Sequence, residues 1–246
     1  MCTVTYLPYN QGFILTHNRD EAPTRSPKVI SEETILGDHL FFPKDTKAGG
    51  TWIVTSQTGK TACLLNGAFL KHQHQPPYRR SRGLVLLDFF TWDDPYAFFE
   101  NYDFQGIEPF TFLFFQTNTA IELRWDGNQR FLNKLDPQSS HFWCSATLYP
   151  PEMQLVREKV FQDWLAVHPI SAGGILDLHH HGSVGDPHHD FVMNRAEKVR
   201  TVSITQIVKA AQLVTMEYED LLEPEGEKQI KKFNLETGNF PSEPGG

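Results

Sequence analysis

The chain has 246 residues, with 22 Lys and Arg against 30 Asp and Glu and a net charge of −8. That length allows one large domain or two small ones and is enough to bury a core. The acidic balance argues against nucleic acid or an anionic membrane as partner, since both recruit basic surfaces. No run approaches the roughly 18 apolar residues of a membrane span, and the opening lacks the basic and apolar stretches of an export signal.

In chain order, Val4 and Tyr6 alternate with Thr3 and Thr5, which predicts a strand over residues 2–8. A turn at 9–12 returns the chain as a second strand over 12–18, and a Pro-containing loop follows over 22–27. Gly49-Gly50-Thr51-Trp52 leads into a strand that turns at 57–60 and comes back over 61–66. Residues 67–82 are polar, contain Pro76-Pro77 and read as loop. Helical spacing covers 83–91, and Asp94-Pro95 is a capping acid followed by proline in a first helical turn. Strands are predicted at 110–115, 120–125, 131–135 and 142–148. A long amphipathic helix is expected over 150–168, with Met153, Val156, Val160, Phe161, Trp164 and Leu165 on one side. A shorter helix over 174–180, a hairpin of 199–209 with 213–220 and a last strand near 230–235 complete the pattern. The tail 237–246 reads as disordered, leaving residues 1–236 as one domain. Strand hairpins alternate with grouped helices, an α+β pattern of helices laid on antiparallel sheets.

The first hairpin carries the chemistry. With its turn between Asn10 and Gln11, opposed residues sum to about 21, so Cys2 faces Arg19; a slip of one residue brings Asn18 or Asp20 there instead. Cys2 follows the initiator methionine directly, and a small second residue permits trimming. Trimming leaves a residue with both a thiol and an α-amine, whose ordinary pKa values are about 8.5 and 7.7–8.0, so the amine serves as the thiol's own base. Arg19 favours a thiolate and Asp20 is placed to orient the amine. Asn66, ending a strand, is a candidate oxyanion donor. The plainer alternative is a thiol in a first strand beside a solvated Asn-Arg-Asp-Glu turn.

Cys2, His17-Asn18-Arg19-Asp20-Glu21, Gly49-Gly50-Thr51-Trp52, Leu65-Asn66, Ser81-Arg82-Gly83, Ser145-Ala146-Thr147-Leu148 and Arg200-Thr201 resemble, in order and spacing, the NRDE family. That family is similar to the N-terminal cysteine hydrolases. The resemblance implies a four-layer αββα sandwich of two antiparallel sheets flanked by helices. It implies Cys2 as nucleophile with Arg19, Asp20, Asn66 and Arg200 around it, and Asn18 and Ser145 as support for substrate or oxyanion. The activity implied is cleavage of a non-peptide amide through an acyl-thioester on Cys2. Members tend to carry Asn where this chain has Ser145. That departure favours an alternative, a non-catalytic carrier of haem, lipid or acyl-coenzyme A on the same scaffold. The partner expected is accordingly a small-molecule substrate or an apolar ligand.

Other features read more plainly. The stretch His179-His180-His181-Gly182-Ser183-Val184-Gly185-Asp186-Pro187-His188-His189-Asp190 is rich in metal-ligating side chains. Its spacing fits no zinc pattern and its composition suggests a solvated loop. No metal or cofactor is therefore expected. Arg79, Arg80 and Arg82 are either an anion-attracting group or a solvated loop face. Three scattered cysteines, Cys2, Cys63 and Cys144, form no disulfide framework, and Cys63 and Cys144 read as buried structural thiols. With no export signal, a cytoplasmic location is expected. The clusters Phe89-Phe90 and Phe112 with Phe114-Phe115 read as core.

Overall fold

The computed structural model describes residues 2–25, 29–223 and 227–236; the expected tail at 237–246 and Met1 lie outside them. In chain order the elements are β1 (Cys2–Tyr9), β2 (Gly12–Glu21), β3 (Ile30–Ile35), β4 (Asp38–Pro43), β5 (Ile53–Ser56), β6 (Thr61–Asn66), α1 (Arg82–Asp88) and α2 (Pro95–Asn101). There follow β7 (Phe110–Gln116), β8 (Thr119–Trp125), β9 (Arg130–Leu135), β10 (His141–Cys144), α3 (Pro151–Val167), α4 (Ala172–His181), β11 (Asn194–Arg195), β12 (Val199–Ala210), β13 (Leu213–Asp220) and β14 (Glu227–Asn234).

These form two seven-stranded antiparallel sheets. The first runs β10-β1-β2-β12-β13-β14, with β11 beside β12. The second is a meander from β3 to β9 in chain order. Period-two alternation divides each strand between two faces. Cys2, Val4, Tyr6, Phe13 and Leu15 meet Ile53, Cys63, Leu65 and Leu113 between the sheets. On the outer face of the first sheet, Leu7 and Ile14 pack with Phe161 and Trp164 of α3 and Ile175 and Leu178 of α4. On the outer face of the second, Leu64, Phe112 and Phe114 pack with Val85 of α1 and Phe98 and Phe99 of α2. The order is helix, sheet, sheet, helix: the four-layer αββα sandwich.

Four expectations need correction. No strand is expected between the loop at 22–27 and Gly49, yet that stretch holds the β3–β4 hairpin, whose polar outer residues Ser31, Glu32 and Glu33 mask its alternation. The strand expected over 142–148 stops at Cys144, because the amides of Leu148 and Tyr149 turn back onto the Ser145 carbonyl. The buried face of α3 is Arg157, Phe161 and Trp164, while Val156 is 45% exposed. Arg157 replaces an apolar residue because its guanidinium donates to the His189 and Asp190 carbonyls and the Thr3 hydroxyl. Finally, α4 runs on to His181, so His179 and His180 belong to the helix expected over 174–180 and not to the solvated loop suggested for the histidine-rich stretch.

Candidate functional site

A cleft of about 340 Å³ opens at the end of the sandwich where β1 begins and β2 and β6 finish. Cys2 and Arg19 are directly opposed in the β1–β2 ladder. Both line the cleft, with Glu21, Asp45, Trp52, Asn66, Arg82 and Glu108 among its other walls. The next strand carries a bulge between Thr201 and Ser203, where Val202 is the extra residue. Bulges raise local twist and re-aim side chains. Here Thr201 pairs with Asp20 and Ser203 with Arg19, so the ladder resumes beside the cleft.

Arg19 is fixed from the far wall. Its guanidinium donates to Asp45 Oδ2 at 2.6 Å and lies 3.9 Å from the centroid of the Trp52 ring. Asp45 in turn accepts the Lys47 and Ala48 amides on Oδ1, an Asx-type turn. The glycines that follow close this loop. Gly49 has φ +71°, a region that costs other residues about 1–2 kcal/mol. A Cβ on Gly50 would fall 2.3 Å from the Gly83 carbonyl carbon, and the Thr51 amide donates to the Gly83 carbonyl. The Gly49-Gly50-Thr51-Trp52 and Ser81-Arg82-Gly83 motifs therefore meet as two backbones in contact.

Ser145 ties the other side together. Its amide donates to the Cys2 carbonyl at 2.9 Å. Its hydroxyl donates to the Asn66 carbonyl at 2.8 Å. Arg82 pairs with Glu108 at 2.9 Å, and the same carboxylate takes His72 and His74. Burial works against ionisation of Glu108, but Arg82, His72 and His74 outweigh it and hold its pKa below the usual value.

Burial pushes the Cys2 thiol up; the charge of Asp20 adds to the rise and that of Arg19 opposes it. The resting side chain is therefore a thiol. Cys63 is raised by burial as well, and burial takes Cys144 to about 12. Neither lines this cleft.

Of the residues singled out in the sequence, Cys2, Arg19 and Asn66 come together as cleft walls. Ser145 stands behind them, wholly buried. Asn18 and Asp20 point to the opposite face of the sheet. The Asn18 amide donates to the carbonyls of His179 and Phe191. Asp20 accepts the hydroxyls of Thr201 and Tyr149. Arg200 pairs with Glu197, away from the cleft walls. Asp45, Trp52 and Glu108 carry no site reading in the sequence, and Arg82 only the choice between an anion-attracting group and a solvated loop face. The Asx turn before Gly49-Gly50 was the available signal for Asp45. The reading of Arg82 as a solvated loop residue does not hold.

The histidine-rich stretch disperses. His179 is buried and contacts Asn18 and Thr5, His180 contacts Glu219 and His189 contacts Asp186. Among the described residues, no group of three or more His, Cys, Asp or Glu side chains is placed to hold a metal ion. Among them too, no helix is long and apolar enough to cross a membrane.

The fold is that of the N-terminal-nucleophile hydrolases. It is shared with a C2A mutant of conjugated bile acid hydrolase from Clostridium perfringens, at TM-score 0.57 and 8% identity over 97% of this chain and 94% of that one. Penicillin V acylase from Agrobacterium tumefaciens is similar, at TM-score 0.54 and 9% identity over 96% and 86%. Such identities establish the fold alone. The family signature of Transport and Golgi organisation 2 matches residues 1–174, and the chain belongs to that family. Among curated proteins no sequence relative matches.

Proposed function

We propose that this protein is an N-terminal cysteine amidohydrolase that cleaves a non-peptide C–N bond in a small molecule. The observation that carries the reading is the placement of Cys2, first residue of β1, opposite Arg19 in the wall of a cleft. Removal of the initiator methionine gives Cys2 a free α-amine. Because burial keeps the thiol protonated, attack requires a base, and that amine is the nearest one. The sulfur bonds to the substrate carbonyl carbon as the amine takes the thiol proton. The proton passes to the leaving nitrogen, the C–N bond breaks and an acyl-thioester remains. Water, deprotonated by the same amine, then bonds to the acyl carbon, the C–S bond breaks, and the amine returns the proton to the sulfur as the acid leaves.

Asn66 is the proposed donor to the oxyanion. Ser145 is a positioning residue, because its hydroxyl is engaged by the Asn66 carbonyl. Its difference from the family Asn thus bears on cleft geometry rather than on a group touching substrate. Two named structural neighbours, a hydrolase and an acylase, support the reaction class. The charged walls, with Arg19, Glu21, Asp45, Arg82 and Glu108, favour a polar substrate over haem or a lipid chain.

The test is mass spectrometry of the untagged protein exposed to a panel of N-acyl amides. The expected results are a chain lacking methionine, an acyl adduct on Cys2 and no turnover by Cys2→Ala. Retained methionine, or turnover by Cys2→Ala, would overturn the proposal.

A further inference from the structure

Lys209 lies at the other end of the sandwich. The β2–β12 ladder pairs Arg19 with Ser203 near the cleft and Phe13 with Lys209 far from it. Six residues of strand separate the two ends by about 20 Å. Lys209 is only 2% exposed, and its ladder neighbours are Phe13 and Val214. Its Nζ donates to Thr117 Oγ1 at 3.1 Å, in the turn between β7 and β8. Among the described residues no carboxylate pairs with it.

A buried lysine is rare unless paired, and an apolar residue of its length would suit these neighbours better. Two glycines lie against it, Gly12 at its backbone and Gly59 at its amine. Gly12 lacks a Cβ that would lie 2.2 Å from the Lys209 carbonyl oxygen, and Gly59 one that would lie 3.2 Å from Nζ. Burial holds the amine below its ordinary pKa, which is the cost of a cation without a counter-charge.

Lys209 and Thr117 both line a cavity of about 640 Å³ built from the turns at this end. Asn10, Gln11, Asn118 and Gln212 are among its other lining residues. Its size is that of a small-ligand site, and its lining combines one cation with uncharged polar residues. A carboxylate or phosphate is the group such a lining accepts.

We propose that this cavity binds a small anionic ligand, whose carboxylate or phosphate group supplies the counter-charge that Lys209 lacks. The site is separate from the Cys2 cleft and does not depend on the hydrolase reading.

The test labels the lysines of the full-length chain with acetic anhydride and reads each site by mass spectrometry. Sodium phosphate, sodium acetate and sodium chloride are compared at matched ionic strength. An anion present at about ten times its dissociation constant slows Lys209 labelling about tenfold and leaves Lys60 unchanged. Protection by phosphate alone assigns a phosphate ester, by acetate alone a carboxylate, and by both a general oxyanion site. Protection by neither, or equal protection by chloride, would overturn the proposal. In a second measurement, the thermal shift produced by the protecting anion disappears in Lys209→Met and persists in Arg82→Gln. A shift that persists in Lys209→Met places the anion elsewhere and also overturns it. If Lys209→Met does not fold, the labelling of the wild-type chain decides alone.

Discussion

Arg19 and Asp45 form a buried ion pair, at 2.6 Å and with both side chains close to fully covered. The pair joins β2 to the loop before β5 across the mouth of the cleft. Removing one member leaves the other charge without its main partner. Asp45→Ala is expected to cost about 3–5 kcal/mol, the range for breaking a buried pair. Asp45→Asn keeps an acceptor for the Lys47 and Ala48 amides and should cost less. Urea denaturation of the two variants checks the order.

Gly50 should tolerate no side chain. Its missing Cβ would lie 2.3 Å from backbone of Gly83, and Gly50→Ala must push the loop away from α1. A loss of about 1–3 kcal/mol is expected, as for overpacking elsewhere. Gly173, where a Cβ would meet nothing within 4 Å, is the control, and Gly173→Ala should not destabilise. Thermal melts of both variants give the comparison.

The sheets were legible because their strands alternate cleanly. The register of Cys2 on Arg19 followed from a two-residue turn, and Thr61–Asn66 was readable to the residue. The β3–β4 hairpin was not, since an edge strand with Ser31, Glu32 and Glu33 gives weak alternation. Arg157 was invisible for another reason. A buried guanidinium is explained by the His189 and Asp190 carbonyls it satisfies, and those lie more than thirty residues away. The site divides in the same way. Local pairing put Cys2 beside Arg19, whereas the Asp45, Trp52 and Glu108 walls come from loops and Arg82 from the start of α1, and only the packed backbone defines their meeting.

Ser145→Ala should cost about 0.5–1.5 kcal/mol, the usual net value of one hydrogen bond, because the amide that holds the Cys2 carbonyl is retained. Turnover, once a substrate is in hand, should fall by no more than a few-fold. A loss beyond a hundredfold with kcat affected and KM unchanged would make the hydroxyl a group that acts on the substrate.

Acid should destabilise the fold partly through His17. Burial holds its pKa at about 3, against an ordinary value of 6.5. Above 6.5 neither state is protonated and its contribution to stability is complete. Below that value the unfolded chain binds a proton that the folded chain refuses until about pH 3, so stability is lost as pH falls through this window. His179 acts in the same sense. Asp20, raised by burial, acts in the opposite one, since its folded form takes up a proton at higher pH than its unfolded form. His17→Gln should flatten the slope of unfolding free energy between pH 6 and 4 by about 1.4 kcal/mol per pH unit, one proton's worth. An unchanged slope would mean that His17 is already charged in the fold.

Iodoacetamide should distinguish the thiols. Cys2 lines the cleft and should react in the native state, at a rate that climbs with pH past the ordinary thiol value. Cys63 should react only on unfolding, being wholly buried. Peptide mapping after a timed quench reads both.

The two sheets differ in when they can be completed. The β3 to β9 meander uses only neighbours in sequence, so it is free to assemble while the chain is still being synthesised. The hairpin that holds Cys2 cannot finish in the same way. Its β2 strand must wait for β12, about 180 residues later by their pairing of Thr201 with Asp20. In a nascent chain the β2 edge of the hairpin that holds the first thiol therefore stays open until the last quarter has emerged. The ladder that sets the cleft is closed by the C-terminal strands, which delays maturation of the thiol until the protein is nearly whole.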